Sequence, residues 1–80
     1  MKTKTIIYIE PEIDHYLIAA IREYGIRDLV QKTSVSSARI SNLIMGRTGV
    51  CQSDFDKLYK LVIERYPMVS EMYPNYRFED

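Results

Sequence analysis

The residues that most often carry covalent or metal chemistry, histidine and cysteine, occur once each, as His15 and Cys51, far apart in the chain. A zinc site needs three or four such ligands, and acyl or phosphoryl transfer needs a nucleophile, a base and an orienting group in reach of one another. No catalytic site, metal site or cofactor is therefore expected, and the chain is not expected to be an enzyme. A single cysteine cannot close a disulfide within the chain, so Cys51 reads as a small, partly buried apolar residue of a reducing compartment. What remains is non-covalent recognition. The side chains suited to it gather between Gly25 and Arg47, GIRDLVQKTSVSSARISNLIMGR, where Ser36, Ser37, Ala38, Ser41 and Asn42 stand among Arg27, Lys32, Arg39 and Arg47 with Asp28 as the sole acid.

These residues need rigid elements to present them, and the apolar spacing supplies two. Ile26, Leu29 and Val30 predict a helix over roughly Ile26–Thr33, with Gly25 as a tight junction before it. Ile40, Leu43 and Ile44 predict a second, roughly Ser36–Met45, which Ser36 or Ser37 can cap at its start and Gly46 at its end. Across the Thr33-Ser34-Val35 corner this is the pattern of a helix-turn-helix. With the apolar stripe turned inward, Ser37, Ala38, Ser41 and Asn42 project from the opposite side. An α-helix fits the DNA major groove, where each base pair shows its own donor and acceptor pattern. Asn42 would pair with adenine through two hydrogen bonds and Ala38 would touch a thymine methyl. Ser36 and the backbone at the helix start would meet a phosphate, with Arg39, Arg47, Lys32 and Arg27 as further phosphate contacts.

The flanks are read the same way. Lys2–Ile9 is rich in β-branched and aromatic residues and predicts one short strand, expected to pair with its twin across a dimer axis. From Pro11 the residues Ile13, Tyr16, Leu17, Ala20, Ile21 and Tyr24 form a helical stripe, and His15 falls off it as a solvated residue. Arg47–Gln52 reads as a loop anchored by Val50. Ser53 is the expected cap of a fourth helix, with Asp54 and Asp56 in its first turn, a stripe of Phe55, Leu58, Tyr59, Leu61, Val62 and Tyr66, and an end at Pro67. A short helical turn over Val69–Tyr73 can follow. Met68, Met72, Tyr73, Tyr76 and Phe78 are too apolar for a free tail and should pack on the body or on a second copy. The division is thus an arm or strand over 1–10, a DNA-binding domain over 11–67 and a packing tail over 68–80. Eighty residues suffice for a single small domain.

Leu29-Val30, Ser34-Val35-Ser36, Ile40-Ser41-Asn42-Leu43-Ile44 and Gly46-Arg47 resemble the helix-turn-helix of lambda-repressor-like DNA-binding domains, the phage Cro and repressor group. Continued through Val50, Lys57 and Leu58, the run is also locally similar to the lac-repressor-family headpiece. Counting the helices on either side, the resemblance spans about 11–66, and the first helix favours the phage group. It implies an all-α, four- to five-helix domain with a short N-terminal arm or strand. It also implies base-reading positions at Ser37, Ala38 and Asn42, a phosphate contact at Ser36, and a basic backbone grip at Arg47. Two departures stand out: Val30 occupies a position where that group usually has alanine, and Ser34 one where it usually has glycine.

The expected function is sequence-specific binding of double-stranded DNA by a small phage-type or host transcriptional regulator, a repressor acting as a homodimer. Eleven basic residues balance eleven acidic ones, which argues against a nonspecific nucleic-acid coat but leaves the basic cluster on the motif intact. No run is long enough to span a membrane and no signal peptide is evident, so a cytoplasmic location is expected. No attached effector domain is expected, so control is expected from concentration, a protein or peptide regulator, or operator competition, and not from a small molecule. Two alternatives remain open at this level. One is a protein-interaction module on the same scaffold that modulates another regulator; the other is a ribbon-helix-helix protein reading DNA with Thr3–Ile9.

Overall fold

The computed structural model describes residues 5–78. Lys2, Thr3 and Lys4 of the expected strand, and Glu79 and Asp80 of the tail, lie outside the described residues. In chain order the elements are β1 (Ile6–Ile7), α1 (His15–Tyr24), α2 (Ile26–Thr33), α3 (Ser37–Ile44), β2 (Val50–Cys51), α4 (Gln52–Arg65) and α5 (Met68–Glu71). The chain is mostly helical, as the apolar periodicity predicts. Among the described residues no helix is long and apolar enough to cross a membrane.

The core forms where the helical stripes converge on α4, which packs against α1, α2, α5 and both strands. Ile21, Leu29, Ile40, Leu43, Leu58 and Val62 are sealed from solvent. Each such side chain stabilises the fold by about 1.5–3 kcal/mol relative to exposure. The stripe predicted for α1 needs correction, because Ile13 and Tyr16 stay 70% and 57% exposed while Ile18 is buried. The cause is local. Glu10 O accepts from the N–H groups of Ile13 and Asp14 at 2.9 and 2.7 Å, which folds residues 11–13 into a turn. The helix therefore starts at His15, later than Pro11 implies, which leaves Ile13 outside it; within the helix Leu17, Ala20, Ile21 and Tyr24 are buried as predicted, with Ile18 on the flank of the stripe in place of Tyr16. Asp14 precedes it without capping it: one carboxylate oxygen accepts from Glu10 N–H at 3.0 Å and the other from the Tyr73 hydroxyl at 2.5 Å. His15 is exposed, as expected, with its ring against that of Tyr16.

The N-terminal strand does not await a twin. It pairs antiparallel with β2 of the same chain, Ile6 opposite Cys51 and Ile7 opposite Val50, and Gln52 N–H extends the contact to Thr5 O at 2.8 Å. This corrects both the expected dimer pairing of Lys2–Ile9 and the loop expected over Arg47–Gln52. Gly49 permits it, since a Cβ there would lie 2.6 Å from Ile6 Cγ2 and 2.7 Å from Ile7 O. Strand β2 runs straight into α4, so the residue before that helix is Cys51 and Ser53 falls within the first turn, not at the cap. Cys51 is half-buried, with Sγ 3.4 Å from Ser53 Oγ.

The aromatic side chains of the tail close over their own chain, whereas Met68 and Met72, expected to pack with them, stay 77% and 50% exposed. Tyr76 packs on Phe55 and Tyr59 with ring centroids 5.5 and 5.0 Å apart, and Tyr73 and Phe78 meet Tyr59 at 6.2 and 5.7 Å. Tyr73 donates to Asp14, Tyr76 donates to Asp56, and Gln52 Nε2 donates to Arg77 O at 2.9 Å. Burial, followed by these carboxylate bonds, raises the Tyr73 and Tyr76 hydroxyls above the ordinary tyrosine pKa, and burial raises Tyr59. The Tyr59 hydroxyl is buried without a hydrogen-bond partner among the described residues. Leaving a buried hydroxyl in that condition costs about 1–3 kcal/mol.

Candidate nucleic-acid interface

Helix α3 is fixed at both ends by its own sequence. Ser36 adopts an extended conformation and its Oγ accepts from Arg39 N–H at 3.2 Å, which settles that Ser36, not Ser37, is the cap. At the other end Gly46 takes φ +73°, its N–H bonds Leu43 O at 3.0 Å and Arg47 N–H bonds Asn42 O at 2.9 Å. These two bonds, one from the residue after the cap and one from the next, form a Schellman closure. The helix between them is about 12 Å long at 1.5 Å per residue.

The corner before α3 is equally defined. Thr33 is buried, its Oγ1 donating to Leu29 O at 2.6 Å and accepting from Val35 N–H at 3.2 Å. Ser34, in the position where the resemblance calls for glycine, adopts the left-handed conformation at φ 63° and ψ 13°, and its N–H bonds Val30 O at 2.9 Å. Val35 is buried and pins the corner to the core. Val30, the other departure, is half-buried and packs against the core beside Ile26.

With Ile40, Leu43 and Ile44 buried, the opposite side of α3 presents Ala38, exposed, with Ser41 and Asn42 half-buried beside it. Ser36 and Ser37 are exposed at the helix start. The Asn42 carboxamide makes no hydrogen bond to protein among the described residues, although its backbone oxygen is held by Arg47. The sequence reading of this face overlooked two residues. Met45 directly follows α3, is 51% exposed and lies on the same side as Ala38 and Asn42. Gln31 lines a shallow groove with Arg27, Ile26, Val30 and Ser37. Its i, i+4 spacing from Arg27 was the available signal, because such residues share one helix face.

The four basic residues named from the sequence divide into two pairs. Arg27 at the groove near the start of α3 and Arg47 just beyond its end are both exposed, and neither has an ion-pair partner among the described residues. Arg39 is exposed but its guanidinium lies 3.4 Å from the Asp54 carboxylate at the start of α4. Lys32 is drawn to the end of α1, where Nζ donates to the Tyr24 hydroxyl at 3.0 Å while Arg65 stacks over the same ring at 3.9 Å. Exposed contacts of this kind hold a charge weakly, by about 0–1 kcal/mol, so Arg39 and Lys32 are diverted but not locked away. What the arrangement offers is a short helix with small side chains outward, Met45 beside them, and near each end an arginine without an ion-pair partner among the described residues.

Comparison with protein-family models, with curated protein sequences and with solved structures finds no match to this chain.

Proposed function

We propose that α2, the corner at Ser34 and α3 form a helix-turn-helix that reads double-stranded DNA, with α3 in the major groove, in a regulator of the lambda-repressor-like kind. The observation that carries this reading is α3 itself: an inward apolar stripe, small outward side chains and, near either end, an arginine with no ion-pair partner among the described residues. Small residues let the helix backbone approach the bases, and cations at both ends would meet phosphates on the two groove walls. Asn42 is the strongest reader, Ser37, Ala38 and Ser41 its companions, and Arg47 and Arg27 the main grips. Ser36 retains its hydroxyl hydrogen for a phosphate after accepting from Arg39 N–H, while Arg39 and Lys32 contribute less because of their protein contacts. The engagement of β1 with β2 supports this reading over the ribbon-helix-helix alternative, in which that strand pairs between two copies.

One strong reader per chain gives about 1–3 kcal/mol of discrimination, so two copies on adjacent half-sites are part of the proposal. Selection of bound sequences from a random duplex pool, followed by sedimentation of the protein with the winning site, tests it. Enrichment of a paired motif is the expected result. A pool that does not enrich while the protein captures a regulator would favour the protein-interaction module.

A further inference from the structure

We infer that Met45 is a base contact that selects thymine, an assignment that rests on the proposed placement of α3 in the major groove. Met45 follows Ala38 by seven positions and Asn42 by three, so the three side chains fall within about 60° of arc on one helix face. That face runs on through Met45. The residue keeps a right-handed helical conformation, at φ −87° and ψ −4°, and its N–H bonds Ser41 O at 3.1 Å. The turn beyond it is fixed as well, because Gly46 closes the helix against Pro11, whose Cδ would lie 2.9 Å from a Cβ at that glycine.

The core makes no use of this side chain. Ile40, Leu43 and Ile44 are buried, whereas Met45 is 51% exposed beside small and polar neighbours. A helix that lays Ala38 and Asn42 against base edges carries Met45 to them too, and the chemistry of the thioether then narrows its partner. It has no hydrogen-bond donor and only a weak acceptor, so neither a phosphate oxygen nor a base amino group suits it. The apolar group that a base pair shows in the major groove is the thymine C5-methyl. Contact between that methyl and the methionine chain removes apolar surface of both from water, and three rotatable bonds let the chain adjust to it. Along the helix axis Ala38 and Met45 are about 10.5 Å apart, which corresponds to about three base-pair steps of 3.4 Å. A half-site should therefore hold a second methyl-dependent thymine, about three steps from the one that Ala38 touches.

The test is a uracil scan of the duplex selected by the full chain, each thymine of a half-site being replaced in turn so that only the C5-methyl is lost. Affinity should fall about fourfold at the Met45 position, the effect of one buried methyl. Met45→Ala should be indifferent to uracil there while keeping its sensitivity at the Ala38 position, and Met45→Leu, which stays apolar, should keep both. The Tm of each variant should match that of the parent chain, because the side chain is exposed. A selected site on which uracil acts alike in the parent chain and in Met45→Ala at every thymine removes this contact and leaves the placement of α3 standing; a pool that does not enrich removes both. Weaker self-association of Met45→Ala in sedimentation without DNA would assign the side chain to a second copy and overturn the proposal.

Discussion

Ser34 shows how one side chain records a compromise. The corner into α3 requires a left-handed residue, and serine bears the Cβ that makes this conformation costly. Ser34→Gly should stabilise the fold by about 0.5–1 kcal/mol, part of the strain relief being offset by the looser unfolded chain. That corresponds to a rise of about 4 °C in Tm for a domain of this size, read by calorimetry, with unchanged DNA selectivity. Asn42 and Arg47 divide the proposed recognition between them. Asn42→Ala should relax preference at a single base position by about 1–3 kcal/mol, visible as one degenerate column in a site selection. Arg47→Ala should weaken all sequences alike and reduce the slope of log K against log salt by about one; an unaltered slope would place this side chain outside the interface.

At the scale of elements, the end of α3 is coupled to the N-terminal segment. A Cβ on Gly46 would stand 2.9 Å from Pro11 Cδ in addition to straining φ at +73°. Gly46→Ala should therefore cost about 1–2 kcal/mol from backbone strain alone, and Pro11→Ala in the same chain should recover part of the loss, a coupling readable from a double-mutant cycle in denaturant. The inward stripe of α3, its closure at Gly46 and the bounds of α2 are legible in the sequence because they depend on residues a few positions apart, whereas the choice of Ser36 over Ser37 as the cap is not. The α1 stripe holds at Leu17, Ala20, Ile21 and Tyr24 and fails at its start for an equally local reason that the pattern does not display: the bonds to Glu10 O fold residues 11–13 into a turn and leave Ile13 outside the helix. Ser53 is not a cap because the short strand ahead of α4, visible only once β1 lies beside it, leaves no loop for a cap to close.

Across the whole molecule, the tail and the N-terminal segment fasten the helices from outside. The hydroxyls of Tyr73 and Tyr76 have folded-state pKa values above the ordinary 10.0, first through burial and then through their bonds to Asp14 and Asp56. A raised value means that the folded chain holds these protons more tightly than the unfolded one. Stability should be fully present below about pH 10 and fall as pH rises above it, since the unfolded state then loses protons that the folded state keeps. Urea melts between pH 8 and pH 11.5 should show this decline, and the Tyr73→Phe/Tyr76→Phe variant should flatten it at the expense of lower stability near neutrality. A pH dependence identical in the variant would mean that other groups govern alkaline unfolding.

By itself the sequence determined most of the helical periodicity, the closure of α3 at Gly46, a serine cap at its start without saying which of Ser36 and Ser37 it is, the small side chains of its outward face and the concentration of basic residues around it. Short-range spacing and local hydrogen bonding dictate all of these. Only the tertiary structure decided which cations stay unpaired among the described residues, because Arg39 meets Asp54 fifteen residues on at the start of α4, and Lys32 meets Tyr24 only through the angle at which α2 packs on α1. It likewise decided that β1 pairs within its own chain and that the aromatic tail closes on Phe55 and Tyr59, leaving the Tyr59 hydroxyl unsatisfied among its protein neighbours. Such contacts depend on where the packed helices bring remote residues together, and no periodicity in the chain encodes that meeting.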